Sequence, residues 1–213
     1  TKALRLNRLA LLCSERDPGA QMIADEMWAY AEADAAKNDS DKTAAAIALD
    51  EIERVHSERR DDLVVLYSQT VEKRAPESPE FAQVLIKQGL AHHRADHDDL
   101  AKEVFMRAIT SADADIRLSA LKGLLIISQR WVQDVDTIDH ASAVLREEKA
   151  SDSDRGWALR ARAFAHANLK HYLAALDDCK ELSRRFPDSA DAVQVQDLQK
   201  QMRQRGLSEA EIK

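Results

Sequence analysis

Residues 162–187 read RAFAHANLKHYLAALDDCKELSRRFP, and the spacing of their side chains decides the fold. Arg162-Ala163-Phe164-Ala165 and then Leu169 carry a helical period. Tyr172, Ala175-Leu176 and Leu182 carry it again after a short break, and Phe186-Pro187 ends it. A pair of antiparallel helices follows from that order. Ala163 and Ala175 sit where two helix axes approach closely, a place that only small side chains allow. Proline cannot continue a helix, so Pro187 closes the unit.

The same period extends outward over the rest of the chain. Leu4, Leu9, Leu11 and Leu12 begin a first helix, and Met22, Ile23, Met27 and Tyr30 line a second. Ile47, Ile52 and Val55 line a third, and Leu63, Leu66, Tyr67 and Val71 a fourth. The reading expects about eleven helices of roughly 14–18 residues joined by short loops. No segment alternates with period two for long enough to make a strand.

Sparse punctuation supports this. The 213 residues hold only five glycines and four prolines, fewer than a β-rich chain needs for its turns. Asp17-Pro18 and Ser78-Pro79, the latter with Glu80 in the first turn, read as helix starts. Asp188-Ser189 caps a helix after Pro187, and Gly206 stands where a C-terminal cap glycine belongs. Ser208-Glu209-Ala210-Glu211 is a capping box, from which a further helix or short tail is expected. The stretch before it, from about Ala190 to Arg205, is rich in glutamine, as in a helix with one polar face at the end of a stack.

Composition narrows the class. Hydrophobic residues make up 45% and charged residues 32%, a globular rather than disordered balance. Aromatics are 5% and alanine is abundant, which suits many helices packing closely. A net charge of −7 argues against nucleic acid as partner. No run of about 18 apolar residues is present to span a bilayer, and no signal peptide is visible. The chain starts at Thr1 rather than Met, so compartment stays open between cytoplasm and periplasm. Cys13 and Cys179 lie too far apart for a disulfide framework, and Cys179 reads as a small buried hydrophobe.

An internal repeat organises the middle of the chain. Leu85 and Gly89 share a face, followed by Ala101, Phe105 and Ala108, and Gly123 follows Gly89 by 34 residues among Leu121, Leu124 and Leu125. With the copy quoted above, this pattern resembles the tetratricopeptide repeat. The ending Arg184-Arg185-Phe186-Pro187-Asp188-Ser189 resembles that of bacterial envelope members of the family. Ala163 lies forty residues beyond Gly123, so an insertion of six is expected at Arg130-Trp131-Val132-Gln133-Asp134. The organisation expected is divergent pairs or a helical cap over 1–75, repeats over 76–188, and a capping helix over 189–213. The three form one continuous array.

The resemblance implies an α-α superhelix of antiparallel helix pairs whose first helices line a concave groove. Carried over position by position, that groove receives Gln83, Ile86, Leu90, His93 and Arg94 from one copy. The next gives Arg117, Ala120, Leu124, Ile127 and Ser128, and the last gives Trp157, Arg160, Phe164, Ala167 and Asn168. An extended peptide or a partner helix suits such a mixed surface. Self-packing of the array into its own groove is the competing reading. Relatives that clamp a C-terminal carboxylate use Lys and Asn where this chain has Ile86 and Leu90, so that activity is excluded.

Chemistry finds little support. His92, His93, Asp96, His97, Asp98 and Asp99 are the densest set of metal-ligating side chains, and His93 and His97 are four apart. Basic residues at one helix end and acidic ones at the next helix start explain that order without a metal. His166 and His171 flank a similar turn, and Cys179 has no His beside it in sequence to activate it. Arg59-Arg60 with Asp61-Asp62 reads as a solvated charge cluster, and Asn38-Asp39-Ser40 fits a glycosylation acceptor. Phosphate loop, dinucleotide fingerprint, HExxH, CxxC and GxSxG are all absent. The function expected is a protein-interaction scaffold that needs no cofactor. The alternatives are a structural arm of a secretion or envelope assembly and, more remotely, a metal-dependent enzyme.

Overall fold

A computed structural model of the protein describes residues 18–37 and 42–204. Leu4 to Cys13, Asp17, Asn38-Asp39-Ser40, Gly206 and the capping box at Ser208 lie outside the described residues. Ten helices and no strand fill the described part: α1 (Pro18–Lys37), α2 (Ala44–Ser57), α3 (Asp61–Arg74), α4 (Phe81–Arg94), α5 (Asp98–Ala108), α6 (Ala114–Arg130), α7 (Asp134–Arg146), α8 (Asp152–Asn168), α9 (Tyr172–Arg185) and α10 (Ala190–Gln204). None of them is long and apolar enough to cross a membrane.

Two compact units divide the chain after Ser111. In the first, α1 packs on α2 and α3, α2 on α3 and α4, and α4 on α3 and α5. Its core gathers Trp28, Ile52, Leu63, Val64, Tyr67, Val71 and Val84. In the second, each helix from α6 to α9 packs on its successor, and α10 packs on α8 and α9. Leu159, Ala163, Ala175, Leu176, Cys179, Leu182, Val195 and Met202 form its core. The all-helical class and the packing of consecutive helices therefore follow the sequence reading.

The internal repeat shows most clearly in the backbone. Arg59, Asp96, Val132 and Lys170 take positive φ angles of 57°, 61°, 52° and 62°, at intervals of 37, 36 and 38 residues. Each joins the two helices of a pair: α2 to α3, α4 to α5, α6 to α7 and α8 to α9. The residue after each turn residue, Arg60, His97, Gln133 or His171, donates its N–H to Val55, His92, Ser128 or His166 at 2.8–3.0 Å. The turn residue's own N–H bonds to His56, His93, Gln129 or Ala167 at 3.1–3.2 Å. These are the two bonds of a Schellman motif, which satisfies the last carbonyls of one helix while the chain reverses into the next.

That register corrects the 34-residue spacing. Seven residues before the four turn residues stand Ile52, Gly89, Leu125 and Ala163, all buried. Gly89 and Ala163 are equivalent as expected, but their counterpart between them is Leu125 and not Gly123. No insertion lies at 130–134, because Trp131-Val132-Gln133 is the same tight turn as the other three. The forty residues between Gly123 and Ala163 are the 38 that separate Leu125 from Ala163 plus the two by which Gly123 precedes Leu125.

Two local expectations also change. Helix α4 begins at Phe81, behind Glu80, so Ser78-Pro79 lies in the preceding turn, where Ser78 accepts from the Phe81 N–H at 3.1 Å. On α1 the buried line is Ala20, Ala24, Trp28 and Ala31, while Met22 and Tyr30 are 58% and 59% exposed. Alanines at three of these four positions let α1 approach its neighbours closely, and Trp28 is the one large side chain in the buried line. At the other end, Ser189 caps α10, its Oγ accepting from the Ala192 N–H at 3.1 Å.

Glycine is absent from all four turn positions. For Arg, Asp or Lys the left-handed region is a tolerable exception, but a β-branched residue there is an outlier. Val132 is 67% exposed, so packing returns nothing for its conformation. Left-handed geometry costs a non-glycine residue about 1–2 kcal/mol, and glycine's greater unfolded freedom offsets part of the relief. Val132→Gly is therefore expected to raise the stability of the second unit by about 1 kcal/mol, read as a higher urea midpoint.

Candidate functional site

In the pairs that begin with α4, α6 and α8, the first helix presents a strip of side chains six, ten and thirteen residues before the turn residue. The strip in the first unit holds Gln83, Ile86 and Leu90 on α4, with Gln83 exposed and the other two half-buried. His93 and Arg94 continue it but are already engaged. His93 Nδ1 lies 2.6 Å from Asp98 Oδ1, across its own turn, and the Arg94 guanidinium pairs with Asp61 at the start of α3. Gln83 donates to Glu53 on α2 at 2.9 Å, and Lys87 lies 3.3 Å from the same carboxylate.

The second unit carries the more apolar strip. On α8 it holds Trp157, half-buried, then Arg160, then Phe164, which is 39% exposed. Arg160 Nε lies 2.7 Å from Asp191 and Nη1 donates to Gln194 at 2.6 Å, tying α8 to α10. Asn168 donates to Asp134 at 3.0 Å, tying the end of α8 to the start of α7.

The α6 portion of the expected groove is out of register. Ala120, Leu124, Ile127 and Ser128 are at most 3% exposed and face the core. Arg117 stands at the start of the helix, donating to Glu147 at 3.2 Å and to the Ala112 carbonyl at 2.8 Å. Arg155 repeats that last bond one copy later, donating to the Ala150 carbonyl at 3.2 Å. Placed by its turn residue, α6 contributes Ser119, Lys122 and Ile126 instead, two residues further along. Ser119 is exposed, Ile126 is 41% exposed, and Lys122 Nζ lies 2.5 Å from Asp154. The sequence signal that misled was the Gly89–Gly123 spacing; the one that locates Ile126 is the turn at Val132, and no glycine marks it.

Family models, curated proteins and solved structures give no match to this chain. Every cation named on the strips pairs with an acid or an amide from an adjacent helix. Net attraction for a strongly charged ligand is small there, and the apolar positions are what remain open.

The thiol of Cys179 is withdrawn from solvent. Cys179 is fully buried, and burial pushes its thiol up to about 12, which leaves no thiolate near neutral pH. Arg162 donates to both oxygens of Asp178 at 2.9 and 2.6 Å and to Ser142 at 3.0 Å, clamping α8 to α9 and α7. His92 and His97 place their rings 6.2 Å apart, and His166 and His171 repeat that at 5.8 Å. Among the described residues, no three His, Cys, Asp or Glu side chains converge as a ligand set. His93 instead meets Asp98, as the complementary ends of α4 and α5 dictate.

Burial, with no hydrogen-bond partner at Nδ1, lowers the affinity of His166 for a proton below its ordinary value of 6.5; Arg162 and His171 push the same way and Asp178 opposes. Below pH 6.5 the unfolded chain then takes up a proton that the folded second unit refuses. Stability should fall from about pH 6.5 down to the depressed folded value and level off beneath it. In His166→Gln this component should vanish, as urea midpoints at about pH 7.5 and about pH 5.5 will show.

Proposed function

We propose that the protein is a tetratricopeptide-like helical repeat that works as a protein-interaction module, binding a partner helix or extended peptide on the first-helix strip of its second unit. One observation carries the reading. Ile126 and Phe164 occupy the same repeat position on successive first helices, and both are large, apolar and about 40% exposed. Such a pair offers two anchors with a fixed separation. Trp157 lies two turns before Phe164 on the same face of α8, which adds aromatic surface of the kind that dominates binding energy. Stacked helices held by paired ion contacts lose little freedom on binding.

Neither partner identity nor compartment enters this reading. Arg160 is a poor test residue because its loss also breaks the contact with Asp191. Ile126→Ser with Phe164→Ser removes both anchors while sparing the core. Affinity for a partner recovered by capture from the source cell should fall about 30-fold or more, at roughly 1–2 kcal/mol per anchor. Undiminished capture by a double variant of native helicity would overturn the assignment.

A further inference from the structure

A second apolar surface lies on a different edge of the second unit, at the turn between α6 and α7. Trp131, Val132 and Val135 are 60%, 67% and 62% exposed. At the equivalent positions the other three turns show Glu58 and Arg59, Ala95 and Asp96, and Leu169 and Lys170. The Schellman bonds form equally well in all four, so the turn itself does not require Trp or Val. Val132 moreover holds the left-handed conformation without glycine and without burial. Strain of this kind, kept at an exposed tip, points to a use beyond folding. The adjacent turn lies on the same edge, fixed there by Asn168 donating to Asp134, and it adds Leu173 at 61% exposed.

The charges beside these side chains are mostly negative. Asp134, Asp136 and Asp139 interleave with Val135 on α7, against Arg130 and Lys170. The chain as a whole carries −7. An acidic rim around apolar anchors repels an anionic lipid surface and a second acidic copy of this chain, and it attracts a cationic partner. We infer that the Trp131–Val135 edge is a docking surface for a basic, amphipathic segment of another protein, whose apolar side chains cover Trp131 and Val132 and whose Lys or Arg residues meet Asp134, Asp136 and Asp139. This surface is independent of the first-helix strip and stands whether or not that strip binds.

The test uses the full chain, nitrogen-15 labelled, titrated with a synthetic amphipathic helix of Leu and Lys only. Amide shifts are expected to concentrate between Arg130 and Asp139, with the Trp131 indole moving most, and added salt should weaken binding. Trp131→Ser should lower affinity at least tenfold while the helices stay folded, because most of the side chain lies outside the core. Val132→Asn should lower affinity while raising the midpoint, a combination that a purely structural role does not produce. A Ser and Lys peptide of equal charge should not bind. Equal affinity in Trp131→Ser, or shifts spread over the acidic surface, would overturn the proposal. So would Trp131-dependent binding to phosphatidylglycerol vesicles, or a concentration-dependent dimer lost in Trp131→Ser, since each assigns the edge to another occupant.

Discussion

Phe105→Ala should lower the stability of the first unit by about 4 kcal/mol, within the range measured for deleting a buried aromatic ring. Phe105 is 1% exposed, and its ring packs closely against Gly89. A Cβ on Gly89 would sit 2.6 Å from Phe105 Cε1 and 2.8 Å from Cδ1 and Cζ. The ring has no room to retreat inside the core, so Gly89→Ala should itself cost about 2 kcal/mol, even though alanine favours helix by about 1 kcal/mol. Double substitution is the informative case. In Gly89→Ala with Phe105→Ala the new methyl enters the space the ring left, so the two losses should fall well short of adding. Chemical denaturation of the four proteins measures the coupling, and simple additivity would show that α4 and α5 do not meet through this pair.

The other large effect concerns the buried ion pair of the second unit. Asp178→Ala leaves the Arg162 guanidinium half-buried between α7, α8 and α9 without its carboxylate. Removing one partner of such a pair typically costs about 3–5 kcal/mol. Hydrogen bonding to Asp178 is what most strongly raises the Arg162 pKa; a guanidinium stays protonated even without that bond, so in Asp178→Ala the cation cannot escape by neutralising. Replacing both, as Arg162→Met with Asp178→Leu, should recover most of the loss. A single variant as stable as wild type would mean that water reaches Arg162 freely.

Much of the fold was legible because its determinants are local. Small residues at Gly89, Ala163 and Ala175 mark close helix contacts, and each is buried where expected. Pro187 behaved as a stop, two residues past the end of α9. The helix break within the His92–Asp99 cluster was also placed correctly, since Asp96 is the turn residue there.

What stayed hidden depends on register and on distance. Four turns take positive φ without glycine, so no glycine marks their register, and a coincidental glycine spacing shifted the α6 strip by two residues. Leu124 was thereby mistaken for surface and Ile126 overlooked. The polar candidates were misread for another reason. Arg94, Arg160 and Asn168 bond to Asp61, Gln194 and Asp134, each 33 or 34 residues away and one repeat distant. Only the correct register reveals that these side chains stitch neighbouring repeats rather than await a ligand.

Hydrogen–deuterium exchange of the protein with and without its captured partner tests the central claim most directly. Binding on the first-helix strip predicts added protection in the peptides covering Ser119–Arg130 of α6 and Trp157–Asn168 of α8, lost together in the Ile126→Ser, Phe164→Ser variant. Protection confined to the second helices α7 and α9, with those two segments unchanged, would contradict it.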